Sequence, residues 1–179
     1  MDRRQKKTRK AIFKAFEELM AKEHYSQVTV AQIIENADIG RSTFYAHFET
    51  KDDLLESMCE EMFDHVFTGV DERCDTHQGL STETLEGKLA HLLFHLRDSY
   101  GGLCKKLIAE GEPHFVNRFR THLAELLDTE LAPTSDSIPP TLLKGIRLSA
   151  FCQTVAWWHD EDDEADPRDL ASWFIAVVE

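Results

Sequence analysis

Two short helical patterns separated by only three residues, Asp38-Ile39-Gly40, constrain this chain more than any other feature. The first opens at Thr29-Val30-Ala31-Gln32, where a hydroxyl and a side-chain amide three residues apart can each satisfy an orphan amide of a new helix. It carries Val30, Ile33, Ile34 and Ala37 on its apolar side and ends by Asp38, and the second runs from about Arg41 to His47. A connection of three or four residues makes such helices cross steeply around a buried aliphatic, which is the helix-turn-helix arrangement.

The surrounding periodicity is helical as well. From Thr8, the residues Ile12, Ala15, Phe16, Leu19 and Met20 fall at i, i+3, i+4, i+7 and i+8, giving a first helix that stops near Glu23-His24. Thr50-Lys51-Asp52-Asp53 resembles another cap and opens a fourth helix through Leu54, Leu55, Met58, Met62, His65 and Val66. After a polar linker at Asp75 to Leu80, Leu85, Leu89, Leu92 and Leu96 form a stripe broken at Gly101-Gly102. A short helix from Leu103 to Glu110 is closed by Gly111 and Pro113, and Phe115, Phe119, Leu123, Leu126 and Leu127 mark the next. Ala132 to Pro140 reads as a loop. Two last helices, Thr141 to Trp158 and Pro167 to Val178, flank the acidic run Asp160 to Asp166. Only Ser26 to Val30 hints at a strand, so the fold class is all-α.

A net charge of -13 argues against a polyanionic partner for the chain as a whole. The distribution reverses that argument at one end. Residues 1 to 51 carry ten Lys/Arg against seven Asp/Glu, a net +3, whereas residues 52 to 179 carry a net -16. Basic charge is densest at Arg3, Arg4, Lys6, Lys7, Arg9 and Lys10, so one end can approach an anionic polymer while the other is repelled, although a solvated basic tail has the same composition. No apolar run reaches the roughly 20 residues of a membrane span, and a cytoplasmic location is expected. Cys59, Cys74, Cys104 and Cys152 lack CxxC spacing, which suggests neither a zinc knuckle nor a disulfide framework. Hydrolase, phosphate-loop, dinucleotide and zincin signatures are all missing, so no catalytic residue and no cofactor is expected.

Thr29, Ile33, Ala37, Ile39, Thr43, Tyr45, His47, Phe48, Lys51 and Leu54 together resemble the helix-turn-helix signature of the TetR family of bacterial transcription regulators. The resemblance implies two domains: a DNA-binding three-helix domain over 1–50, and a helical ligand-binding and dimerisation domain over 51–179. It also implies a homodimer built on the last two helices, an operator of double-stranded DNA, and a small-molecule effector that releases the regulator, most often a repressor. Phe63, Phe94, Phe119, Cys152 and Trp157 are the candidates for lining the effector pocket, with plain core rather than ligand contact as the favoured alternative for each. His24 and Asp38 stand where the family usually has glycine, and both positions are expected to need positive φ.

Chemistry assigns the DNA-binding residues separately. Arg41, Ser42 and Thr43 lead the recognition helix, where short polar side chains reach base edges and an arginine can pair with guanine. Lys51 and Thr29 stand at helix starts, where an ammonium or free amides can hold phosphate. Tyr45 and His47 diverge by about 200° around the helix, and the family resemblance brings both to the DNA backbone. The same residues have plainer uses: Tyr45 as a core aromatic, His47 as a structural hydrogen-bonder, Lys51 as surface. Phe44 and Phe48 belong to the core.

The C-terminal stripes, Leu148-Phe151-Cys152-Val155-Trp158/His159 and Leu170-Trp173-Phe174-Val177, are apolar enough to need a second subunit, with intrachain core as the alternative. His91 and His95 sit at i, i+4 with Asp98 at i+7, a spacing that can hold zinc or nickel, but Lys88 shares their side of the helix and the expectation is a solvated polar face. Two other classes remain as rivals to the regulator: a protein-binding coactivator on the same fold, and a metal-dependent enzyme using the two histidines.

Overall fold

A computed structural model describes residues 3–68, 83–131 and 138–178. Among these there is no strand, and no helix is long and apolar enough to cross a membrane. The helices are α1 (Arg3–Met20), α2 (Val30–Asn36), α3 (Arg41–Tyr45), α4 (Lys51–Phe63), α5 (Leu85–Asp98), α6 (Leu103–Ala109), α7 (Pro113–Glu130), α8 (Pro140–Asp160) and α9 (Pro167–Val178). The Asp75 to Leu80 linker, Cys74 and most of the Ala132 to Pro140 loop lie outside the described residues.

Helix α1 begins five residues before the apolar pattern does, because Arg, Gln and Lys propagate a helix without needing burial. Its stripe of Ile12, Phe13, Ala15, Phe16 and Met20 is buried. Thr29 and Gln32 form the reciprocal cap of α2, with Thr29 N donating to Gln32 Oε1 at 2.8 Å and Gln32 N to Thr29 Oγ1 at 3.3 Å. Thr50 caps α4 by accepting from Asp53 N at 3.0 Å, while Asp53 returns a carboxylate to Glu49 N at 2.9 Å. The far end of α4 widens into a π-helical turn, Asp64–Thr68.

The turn at Asp38 has φ 50, as expected for a residue standing in for glycine. His24 does not: among the described residues only Asp38 and Tyr100 are non-glycine positions with positive φ. The end of α1 turns without a left-handed residue because its carbonyls are taken by a side chain from elsewhere. Lys106 of α6 donates to Met20 O at 2.5 Å and Glu23 O at 3.1 Å, and His24 Nδ1 lies 3.0 Å from Glu110 Oε1. The left-handed residues instead concentrate after α5, where Tyr100, Gly101 and Gly102 have φ of 50, 59 and 77 in succession.

Helix α5 occupies the centre of the C-terminal half, packed against α6 and α9, and every residue from Leu89 to Leu96 is buried. This overturns the expectation of a solvated histidine face. His91 and His95 are 2% and 6% exposed, and their Nε2 atoms lie 3.1 Å apart. Sequence periodicity showed the leucine stripe, but a helix enclosed on all sides has no polar face to give to water. Lys88, one turn earlier, pairs with Glu130 at the end of α7.

The C-terminal stripes are likewise mostly intrachain core. Leu148, Phe151, Val155 and Trp158 of α8 and Leu170 and Phe174 of α9 are buried within the chain, with Phe151 edge-on to Phe174 at 5.2 Å. What remains outside is a narrower set: Leu142, Ile146 and Trp157 on α8, and Trp173 and Val177 on α9, the last two 50% and 78% exposed. One contiguous set of buried side chains runs from Ile12 to Val178, so the N-terminal helices and the helical body share their packing.

Candidate nucleic-acid interface

Helix α3 is fixed from behind by two aromatic residues. Phe44 is fully buried and Phe48 nearly so, their rings 6.0 Å apart, and Phe48 continues onto Phe13 of α1 at 5.9 Å. With those two facing inward, the 100° step of the helix turns its leading residues outward. Arg41 and Ser42 are exposed, Thr43 is half-buried, and Tyr45 is 51% exposed with its ring edge-on to Phe44 at 5.5 Å. His47 is half-buried beside Phe48. The leading end of α3 therefore presents an arginine, a serine and a threonine to the outside, with an aromatic ring one turn later.

Thr29 is exposed at the start of α2, its hydroxyl occupied in the cap with Gln32. Lys51 has a different occupation from the phosphate contact read from sequence. Its ammonium donates to Tyr25 O at 2.6 Å and Val28 O at 2.8 Å, and it sits 4.3 Å from the Tyr25 ring centre. Two of its three donors thus hold the α1–α2 connection against the start of α4. Tyr25 completes that clasp by donating its hydroxyl to Asp52; burial first, and that hydrogen bond second, push its phenol pKa up.

Arg3, Arg4, Lys6, Lys7 and Lys10 line one open basic face along α1. Arg9 leaves that group. Its guanidinium lies over the rings of Phe13 and Phe48 and donates to Ser57 Oγ of α4. Sequence reasoning counted it only as charge, and nothing local could reveal a bond across 48 residues. Lys106 was missed for the same reason.

Among the described residues the effector candidates lie in different surroundings. Phe63 and Phe119 pack ring to ring in the core with Phe115, Phe94 lies under Arg97 and Arg168, and Trp157 is outside, edge-on to Trp173 at 5.9 Å. Cys152 is half-buried and its thiol pKa is raised, chiefly by burial. Among the described residues no three His, Cys, Asp or Glu side chains are grouped to hold a metal ion.

Residues 12–58 match the profile of "Bacterial regulatory proteins, tetR family". A TetR transcriptional regulator from Streptococcus agalactiae 2603V is 34% identical, with a TM-score of 0.78 covering 99% of this chain and 97% of that one. The chain belongs to the TetR family. It is a DNA-binding transcriptional regulator and not an enzyme.

Two HTH-type transcriptional regulators are similar in sequence over part of the chain. YxbF of Bacillus subtilis is 39% identical over 71 residues, which is 37% of this chain and 19% of that protein. The dhaKLM operon transcriptional activator DhaS of Lactococcus lactis is 41% identical over 56 residues, 31% of this chain and 30% of DhaS. These matched segments span less than a third of either relative. A solved structure of DhaS shares the fold with a TM-score of 0.60 at 21% identity, over 96% of this chain and 93% of that one.

Proposed function

We propose that this TetR-family chain is a homodimeric repressor, working in the cytoplasm, that binds a palindromic operator and is released from it by a small molecule. The observation carrying the DNA contact is the outward leading end of α3, with Phe44 and Phe48 anchoring the helix from behind. Arg41, Ser42 and Thr43 read base edges, while Tyr45, His47 and the exposed amide end at Thr29 meet the backbone. Residues 1–50 act as the reading head and 51–179 as the ligand-binding and dimerisation body. The exposed Leu142, Ile146, Trp157, Trp173 and Val177 support pairing of α8 and α9 across a twofold axis, which would set two heads on half-sites one or more DNA turns apart.

Selection from a random duplex library tests this reading. The expected product is an inverted repeat, bound with a steep negative dependence of log affinity on log salt, and Arg41→Ala should cost about 1–3 kcal/mol and relax preference at one base pair of each half-site. Failure to retain any duplex at low ionic strength would overturn it. An activator is the second reading, favoured by the 41% identity over 56 residues to the activator DhaS. Placing the selected operator upstream of a reporter separates the two: deletion of the regulator raises expression for a repressor and lowers it for an activator.

A further inference from the structure

A cavity of about 430 Å³ opens at the seam between the reading head and the body. One wall is the end of α1 and the residue after it, through Glu17, Met20 and Ala21; the other is the left-handed turn at Tyr100–Gly102, the first turns of α6, and the end of α8. That volume lies within the range of small-molecule sites. The two walls carry opposite charges.

On the α1 wall, the half-buried Glu17 carboxylate has no hydrogen bond or ion pair with any described residue. It presses against the turn so closely that a Cβ at Gly101 would meet Glu17 Oε1 at 2.9 Å. A carboxylate that faces a partly enclosed space without a cation has an ammonium as its natural complement. On the body wall, Lys105 is a deeply placed cation, its side chain 7% exposed and its ammonium 4.4 Å from the Trp158 ring centre. The anion that meets it is Asp163, which hangs from the acidic α8–α9 connection with its side chain 66% exposed. Beside them, His159 also lines the space. Lys106 and Arg97 also border the space, but they are held by the α1 carbonyls and by Asp98.

We propose that this seam cavity is a binding site for a small zwitterion of the free amino acid class. Its ammonium meets Glu17, and its carboxylate displaces Asp163 from Lys105. Asp163 is the surrogate anion of the empty site, able to leave because its own side chain is already largely in water. A bound zwitterion bridges α1 to the body across the same seam that Lys106 spans.

Calorimetry on the full-length protein without DNA tests the site independently of the operator reading. Each free amino acid is titrated at millimolar concentration, followed by the N-acetyl and decarboxylated analogues of any that bind. At least one amino acid should bind stoichiometrically, and both analogues should fail. Glu17→Gln should weaken that binding about tenfold or more, since it removes a charge-assisted contact. Asp163→Asn should strengthen it several-fold by removing the competitor. Because Lys105→Met changes a buried group, its circular dichroism is checked first; if it fails to fold, the Glu17 and Asp163 variants decide. Binding by no amino acid, equal binding by either analogue, an unchanged affinity in Glu17→Gln, or no gain in Asp163→Asn would each overturn the assignment.

Discussion

Replacing Lys51 with methionine keeps the aliphatic stem and removes only the ammonium, so it isolates the clasp between α4 and the α1–α2 connection. Two hydrogen bonds from a charged donor, at 2.6 and 2.8 Å, are lost together with a ring contact at 4.3 Å. Hydrogen bonds to charged groups contribute about 1.5–3 kcal/mol each, and a partly exposed cation–π contact about 0.5–1. Against this stand the hydration that the ammonium regains in the unfolded chain and the access of water to the freed Tyr25 and Val28 carbonyls at a half-buried site. The net expectation is a loss of about 2 kcal/mol, or roughly 4–8 °C in Tm for a chain of this size. Urea denaturation should show a lower midpoint with an unchanged m value. Operator binding measured over a salt series should keep its slope, because an ammonium holding two carbonyls releases no counterion from DNA. A stability loss under about 0.5 kcal/mol, together with a slope reduced by about 0.9, would mean that the ammonium serves a phosphate instead.

Three further outcomes follow from the structure. At Asp38, with φ 50, alanine should cost about 1 kcal/mol while glycine costs nothing, and denaturation midpoints in the opposite order would refute the left-handed turn. Burial raises the pKa values of the Tyr25 phenol and the Cys59 thiol in the folded state, so the stability they contribute is complete below their unfolded values, near 10 and 9 respectively, and is lost as pH rises beyond them. Each group then costs up to about 1.4 kcal/mol per pH unit, and an unfolding free energy that stays flat between pH 8 and 11 would contradict this. Trp173→Glu should leave the helical content intact and convert dimers to monomers in sedimentation velocity, whereas an unchanged dimer would place the interface elsewhere.

The reading head was legible because its determinants are local. A capping box, a three-residue turn and two inward phenylalanines specify α2, α3 and the outward Arg41 within twenty residues, and the turn demanded positive φ at Asp38 whatever the rest of the chain did. The body was legible only as helices. Which face each helix buries depends on how many neighbours surround it: α5 is enclosed, so His91 and His95 went inside, and α9 lies against α5, so Leu170 and Phe174 turned inward and left Trp173 and Val177 out. The pocket residues were unreadable because a phenylalanine packed on another phenylalanine and one facing a cavity have the same one-dimensional signature. His24 misled for a related reason: glycine is one way to end α1, and a lysine eighty-odd residues downstream is another.

That lysine bears on how such regulators can be recombined. A chimera joining residues 1–50 to the body of another regulator would leave Met20 O and Glu23 O without their donor, and the helix bearing the basic face would fray from its carboxyl end. Grafting this head successfully therefore means transplanting Lys106, and the α6 position that aims it, along with the contiguous sequence.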